Sequence, residues 1–306
     1  MRMVLRRLRA TGGPAANQPR LLLTRLGEWM NRASTSAFVV LALDAPRLED
    51  GTAVAASGYF ADNDMVARFC DDQPRTRFGA SVHPYRSDAC AELERLVARG
   101  ACLVKWLPSY QRIDPASPRC IPFYDVLAHY RVPLLSHTGV EHLLPGGDQR
   151  FNDPERLTLA LQRGVTVIAA HCGARLMLHE RCRFEQWRKI ALTHEQCFGD
   201  LSAMVLPIRV GILRRILASD ELLAKTVYGS DFPAQAWPWV CVTSAGLRST
   251  VSLARIRNPL ERSAAAVRAL GFPDAVFSRA WRLLRNDRHV DASRNVGASR
   301  VAVRGA

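Results

Sequence analysis

Five residues spread along the chain could do chemistry, and each sits in or at the end of an apolar run: His83, Lys105, His137, His171 and Asp231. Neutral imidazole and carboxylate are the usual protein ligands of a hydrolytic zinc or similar divalent ion. Such an ion lowers the pKa of its bound water from about 15.7 to about 7 and polarises a carbonyl, so the set points to hydrolysis. Three of the five share one local pattern. Leu-Leu-Ser-His-Thr-Gly (134–139), Ala-Ala-His-Cys-Gly (169–173) and Tyr-Gly-Ser-Asp-Phe-Pro (228–233) each put a metal-capable side chain after an apolar run and before a small or turn-forming residue.

A scaffold must aim these distant residues at one point, and the punctuation of the chain predicts it. Apolar, β-branched runs at 37–43, 77–82, 101–106, 132–137, 165–171, 198–205 and 226–230 read as seven strands. Helices are expected between them at 21–31, 88–99 (Ser87 as cap, Gly100 as stop), 119–130, 208–218 and 274–284. Two more open at Asp153-Pro154 and Asn258-Pro259 and close at Gly164 and Gly271. Alternating strands and helices imply right-handed βαβ units and a parallel sheet, either open and doubly wound or closed as an eight-stranded barrel. No glycine-rich dinucleotide or phosphate loop is present, and chemical groups at many strand ends favour the α/β (β/α)8 TIM-like barrel.

With these motifs, together with Val-Lys-Trp-Leu-Pro (104–108) and Ile-Asp-Pro (113–115), the sequence resembles the amidohydrolase-related metal-dependent hydrolases over about residues 37–284. The resemblance implies a distorted barrel and assigns roles by position. His137 matches a metal-ligating histidine. His171 matches a histidine that binds a second ion, polarises the substrate or transfers a proton. Asp231 matches an aspartate that binds metal and takes a proton from the attacking water, and Lys105 stands where some members carry a carboxylated lysine bridging two metals. The implied cofactor is a divalent metal, zinc first, with manganese or iron also suited to the donors.

One departure is plain. The family begins with a strand ending in His-x-His, and this sequence has no histidine before His83. Seven strands behind a leading helix make an incomplete barrel whose first strand is missing. A late start codon, a truncated gene and a pseudoenzyme each account for that. Residues 1–20, arginine-rich with Gly12, Gly13, Pro14 and Pro19, read as a poorly ordered leader, 21–284 as the barrel domain and 285–306 as a disordered tail. The implied activity is metal-activated hydrolysis of an amide, ester or lactone, or a related non-oxidative decarboxylation. The rival reading is a non-catalytic barrel acting as a binding module.

Other residues support two readings. His83 is either substrate-facing or a loop residue, and His142 is a candidate substrate contact in the loop after the strand ending at His137. Trp237 in Ala-Trp-Pro-Trp-Val either walls a pocket or packs under a loop. Lys105 points inward only if strand alternation puts it there.

Composition bounds the partners. The formal charge of +14 comes almost entirely from arginine, since Lys105, Lys189 and Lys225 are the only lysines, and no stripe of arginines interleaved with aromatics suggests nucleic acid. The eight cysteines include no Cys-x-x-Cys pair, which suits a reduced, cytoplasmic setting. No apolar run approaches the roughly 18 residues of a membrane span. A small-molecule substrate and no membrane partner are therefore expected, and a homo-oligomer is compatible with the sequence.

Overall fold

The protein is described by a computed structural model covering residues 18–54, 61–142 and 147–284; of the segment read as a leader (1–20), residues 1–17 lie outside the described residues and 18–20 open a helix, and the tail (285–306) lies outside them as well. All seven expected strands form: β1 (Phe38–Leu41), β2 (Thr76–Ala80), β3 (Ala101–Trp106), β4 (Leu134–His137), β5 (Val167–Ala170), β6 (Cys197–Asp200) and β7 (Thr226–Val227). They make one parallel sheet in chain order. Among the described residues no strand pairs with the outer edge of β1 or of β7, so the barrel is incomplete, with an open seam between these two strands.

Strand alternation decides which side chains face the interior. On β3, Val104 and Trp106 are fully buried in the large core beneath the helices, while Leu103 joins Leu135, Ile168 and Val227 in a small inner cluster. Lys105 follows Leu103 by two residues and His137 follows Leu135 by two, so the pleat carries both polar side chains to the inner face. The outer core is filled from the helix layer by residues such as Leu93 and Leu96 of helix Ala89–Ala98 and Trp187 of helix Phe184–Thr193. Burying both faces of a parallel sheet explains why its strands read as apolar runs.

Most helix signals act as expected. Asn258 accepts a hydrogen bond from the Leu260 amide at 3.1 Å ahead of helix Pro259–Ala269, and Gly271 follows with φ +103°. Asp153 caps a 3-10 turn, Pro154–Leu157, before the short helix Thr158–Gln162. Ser87 does not cap its helix. Asp88 occupies the N-cap position of Ala89–Ala98 without a capping bond, because its carboxylate grips the Arg86 guanidinium with two bonds of 2.7 Å. Helices Asn63–Asp71, Phe184–Thr193 and Val242–Arg255 were not expected from the sequence.

The last helix, Asp274–Leu283, secures the seam side of the sheet. The amide of Tyr228 donates to the Val276 carbonyl at 3.0 Å, Trp281 stacks under the Arg77 guanidinium, and Leu284 enters the inner cluster. Helix Gln18–Asn31 lies at the other side, where Leu22, Leu23 and Leu26 line the cavity that opens at the seam.

The sheet packs closely against its helices at Gly199 of β6. A Cβ there would stand 2.5 Å from Cys172 Sγ and 2.6 Å from the Trp187 ring. Gly199→Ala is expected to lower stability by about 1–3 kcal/mol through overpacking. A fall in the urea midpoint checks this, and an unchanged midpoint would show that the contact is loose.

Candidate active site

The carboxyl ends of β3 to β7 converge on one cavity of ≈ 1560 Å³, which also opens along the seam. Lys105, His137, Glu141, His171, Asp200 and Asp231 all line it. The loops that hold them are tight. Gly139 (φ +87°) lets the segment after β4 lie against the segment after β5, since a Cβ there would meet the Ala174 carbonyl oxygen at 2.4 Å. Thr138 Oγ1 donates to the Ala170 carbonyl and accepts from the Gly173 amide. His171 (φ +63°) and Asp231 (φ +56°) both have left-handed backbones, a conformation that costs non-glycine residues about 1–3 kcal/mol and clusters at functional sites.

The two imidazoles are the best-defined part. The rings of His137 and His171 meet edge to face with centroids 4.9 Å apart, and both are buried. His171 Nδ1 lies 2.7 Å from the Ser202 carbonyl, which accepts its proton. Asp200 organises this corner: its Oδ1 accepts from the His171 amide (2.8 Å), the Ser202 amide (3.1 Å) and Ser202 Oγ (2.5 Å). His137 turns Nδ1 toward Glu141, 3.7 Å away, while its buried Nε2 has no hydrogen-bond partner. His171 thus carries its proton on Nδ1 and presents an Nε2 lone pair, and a hydrogen bond of the His137 ring to the Val140 backbone, with Nε2 unpartnered, puts the His137 proton on Nδ1 as well.

Electrostatics keep both rings neutral. Burial holds His137 and His171 well below the usual histidine range, and repulsion from Lys105 and Arg209 adds to it. Desolvation also lowers Lys105, against the attraction of Asp200, Asp231 and Glu141. It pushes Asp231 up to about 7, with Lys105 opposing and Asp200 assisting. Asp231 is nonetheless exposed; because it lines the cavity, that surface is open to cavity water, which moderates the shift.

The Nε2 lone pairs of His137 and His171 fit the nitrogen half of a divalent-cation site. They do not complete one, because among the described residues no three His, Cys, Asp or Glu side chains are grouped to hold a metal ion. The three-ligand centre expected from His137, His171 and Asp231, with Lys105 beside it, is therefore not assembled. Among the described residues β7 is two residues long with no strand on its outer edge, and Asp231 lies in the turn that follows.

Three expected substrate contacts lie elsewhere. His83 is fully buried with both ring nitrogens occupied, Nε2 by the Gln111 carbonyl at 2.7 Å and Nδ1 by the Tyr85 amide at 3.1 Å. Burial lowers its pKa to about 4, and it serves the fold. His142 is exposed and pairs with Glu180, itself held by the Leu176 and Met177 amides. Trp237 is 53% exposed, outside the cavity wall.

Four site residues escaped the sequence reading: Glu141, Asp200, Ser202 and Arg209. Asp200 had a signal, an acid ending the apolar run of β6 just as histidines end β4 and β5. Arg209 had none. Its buried guanidinium donates to the carbonyls of Ala174, Arg175 and Ala203 and so ties together the loops after β5 and β6.

Parallel strands in chain order with chemical groups at their carboxyl ends define a barrel of the TIM class, here incomplete. The sequence profile described as amidohydrolase matches residues 30–239, and the chain belongs to the amidohydrolase family. Solved structures agree on the fold. An uncharacterized TIM-barrel protein from Bordetella bronchiseptica is 15% identical with a TM-score of 0.57, covering 87% of this chain and 91% of that one. A Pseudomonas putida protein described as a 2-pyrone-4,6-dicarboxylic acid hydrolase is 16% identical with a TM-score of 0.55, covering 87% of each chain. An Acinetobacter baumannii protein described in the same terms, with citric acid bound, is 14% identical with a TM-score of 0.54, covering 89% of this chain and 88% of that one. No curated protein matches the sequence.

The buried histidines set a pH dependence. With folded pKa values below 6.5, His83, His137 and His171 favour the native state above that pH, and this stability is lost as pH falls toward the folded values. Each contributes a slope of up to about 1.4 kcal/mol per pH unit. Melting temperature should fall between pH 7 and pH 5, and His171→Asn should flatten that fall by one proton's worth. A variant with the wild-type slope would place His171 in solvent.

Proposed function

We propose that this chain acts on an amide, ester or lactone of a small molecule by hydrolysis, or on a carboxylic acid by non-oxidative decarboxylation, as a cytoplasmic enzyme. The observation that carries this reading is the convergence of two neutral imidazoles, a cavity-facing carboxyl and a buried amine at one end of a parallel sheet. A divalent ion held by His137 and His171, zinc ahead of manganese or iron, would supply activated water and polarise a carbonyl.

The chain's own residues divide the proton work. Ionised Asp231 accepts a proton from the attacking water and returns it to the leaving group, and a pKa near the working pH suits both steps. His171 offers a lone pair, not an N–H, so in this tautomer it accepts a hydrogen bond or binds a cation and does not donate to an oxyanion. Asp200 and Ser202 fix that tautomer. The incomplete donor set and the open seam favour the second reading, a barrel that binds a ligand without turning it over.

Two measurements separate them. Asp231→Asn should cut kcat on an activated ester or lactone about 100-fold or more with little change in KM, and wild-type kcat/KM should rise with pH through about 7 as Asp231 ionises. Full activity in the variant would remove Asp231 from the chemistry. Zinc followed by calorimetry should bind weakly, and His137→Ala should weaken it at least about tenfold; unchanged affinity would exclude His137 as a ligand.

A further inference from the structure

Lys105 stands apart from the other lysines. Only three of the 42 basic residues are lysines, and the other two are accounted for: Lys189 is exposed on helix Phe184–Thr193, and Lys225 Nζ donates to the carbonyls of His194 and Glu195 at 3.1 and 2.7 Å. The Lys105 carbonyl accepts from Ser81 Oγ at 2.8 Å, whereas its amine makes no hydrogen bond or ion pair among the described residues, although the side chain lines the cavity on the inner face of β3. A chain that uses arginine almost everywhere keeps an amine here, where a guanidinium could not act as a nucleophile.

We propose that Lys105 is a covalent site, an amine that condenses with the carbonyl carbon of an aldehyde or ketone to form an imine. Around it, Leu103, Leu135, Ile168 and Val227 supply an apolar wall, so the carbonyl compound it suits has an apolar body. Asp200, Asp231 and Glu141 lie within electrostatic reach of the amine.

The step balances without any oxidant or reductant. The nitrogen lone pair forms a C–N bond, the carbonyl π electrons move to oxygen, and one nitrogen proton passes through the Asp231 carboxyl to that oxygen. Asp231 in its acid form then protonates the hydroxyl of the carbinolamine, the nitrogen lone pair forms the C=N bond as the C–O bond breaks and one water leaves, and the remaining nitrogen proton returns to the Asp231 carboxylate, leaving a neutral imine. Hydrolysis reverses the sequence and frees the lysine. This chemistry needs no activated water, so it stands or falls separately from the hydrolytic reading.

The test is reductive trapping of the intact chain with benzaldehyde and cyanoborohydride at neutral pH, followed by peptide mass mapping. Exposed Lys189 serves as the internal reference. The expected result is an N-benzyl adduct at Lys105 at concentrations that leave Lys189 unmodified. Lys105→Arg should lose that adduct while keeping the wild-type circular dichroism spectrum and its labelling at Lys189 under forcing conditions. Labelling of Lys189 before Lys105, or no adduct at Lys105 when Lys189 is modified, would overturn the proposal.

Discussion

Parallel pairing of the strands is the constraint on which everything else rests. Because β1 to β7 run in the same direction and in chain order, their carboxyl ends share one rim, and residues far apart in sequence meet there. His137 pairs in register beside Ala170, so His171, one residue later, is delivered next to it. Backbone pairing thus brings the two residues side by side, and the side-chain contacts of His171 with the Asp200–Ser202 corner set its ring. The same pairing has a cost at its limits, since a parallel strand with an open edge leaves backbone groups without sheet partners. β7 is the shortest of the seven strands, and Asp231 lies in the turn that follows it; among the described residues no three His, Cys, Asp or Glu side chains are grouped to hold a metal ion.

Burial then sets the chemistry. In a low-dielectric cavity, neutral imidazole is favoured over imidazolium and a carboxyl tends to keep its proton, so the site is richer in lone pairs than in charges. Asp200 has a structural part in this: one oxygen collects two amides and a hydroxyl, and thereby fixes the orientation of His171 through Ser202. Arg209 does comparable work from outside the cavity by holding three loop carbonyls.

Much of the fold was legible because the signals were periodic or stereochemical. Apolar β-branched runs located all seven strands, and glycines at Gly164 and Gly271 marked helix ends where φ is positive. What failed was local competition. Asp88 prefers the Arg86 guanidinium to a helix amide, and Gly246 (φ +76°) breaks the helical backbone within Val242–Arg255. In the site, His137, His171, Asp231 and Lys105 were found because they end or alternate within strands. His83 looked equivalent, but its partners, the Gln111 carbonyl and the Tyr85 amide, are backbone groups with no sequence signature. Glu141 lay one residue from the histidine chosen instead, and Ser202 acts through a carbonyl that any residue could provide.

The central claim is that His137 and His171 are held as neutral rings with their lone pairs aimed into one cavity. Nitrogen-15 NMR of histidine-labelled protein reads this directly at pH 6. The account predicts that both rings are neutral there, protonated at Nδ1 and bare at Nε2. An imidazolium at either position, or a ring protonated at Nε2, would contradict it.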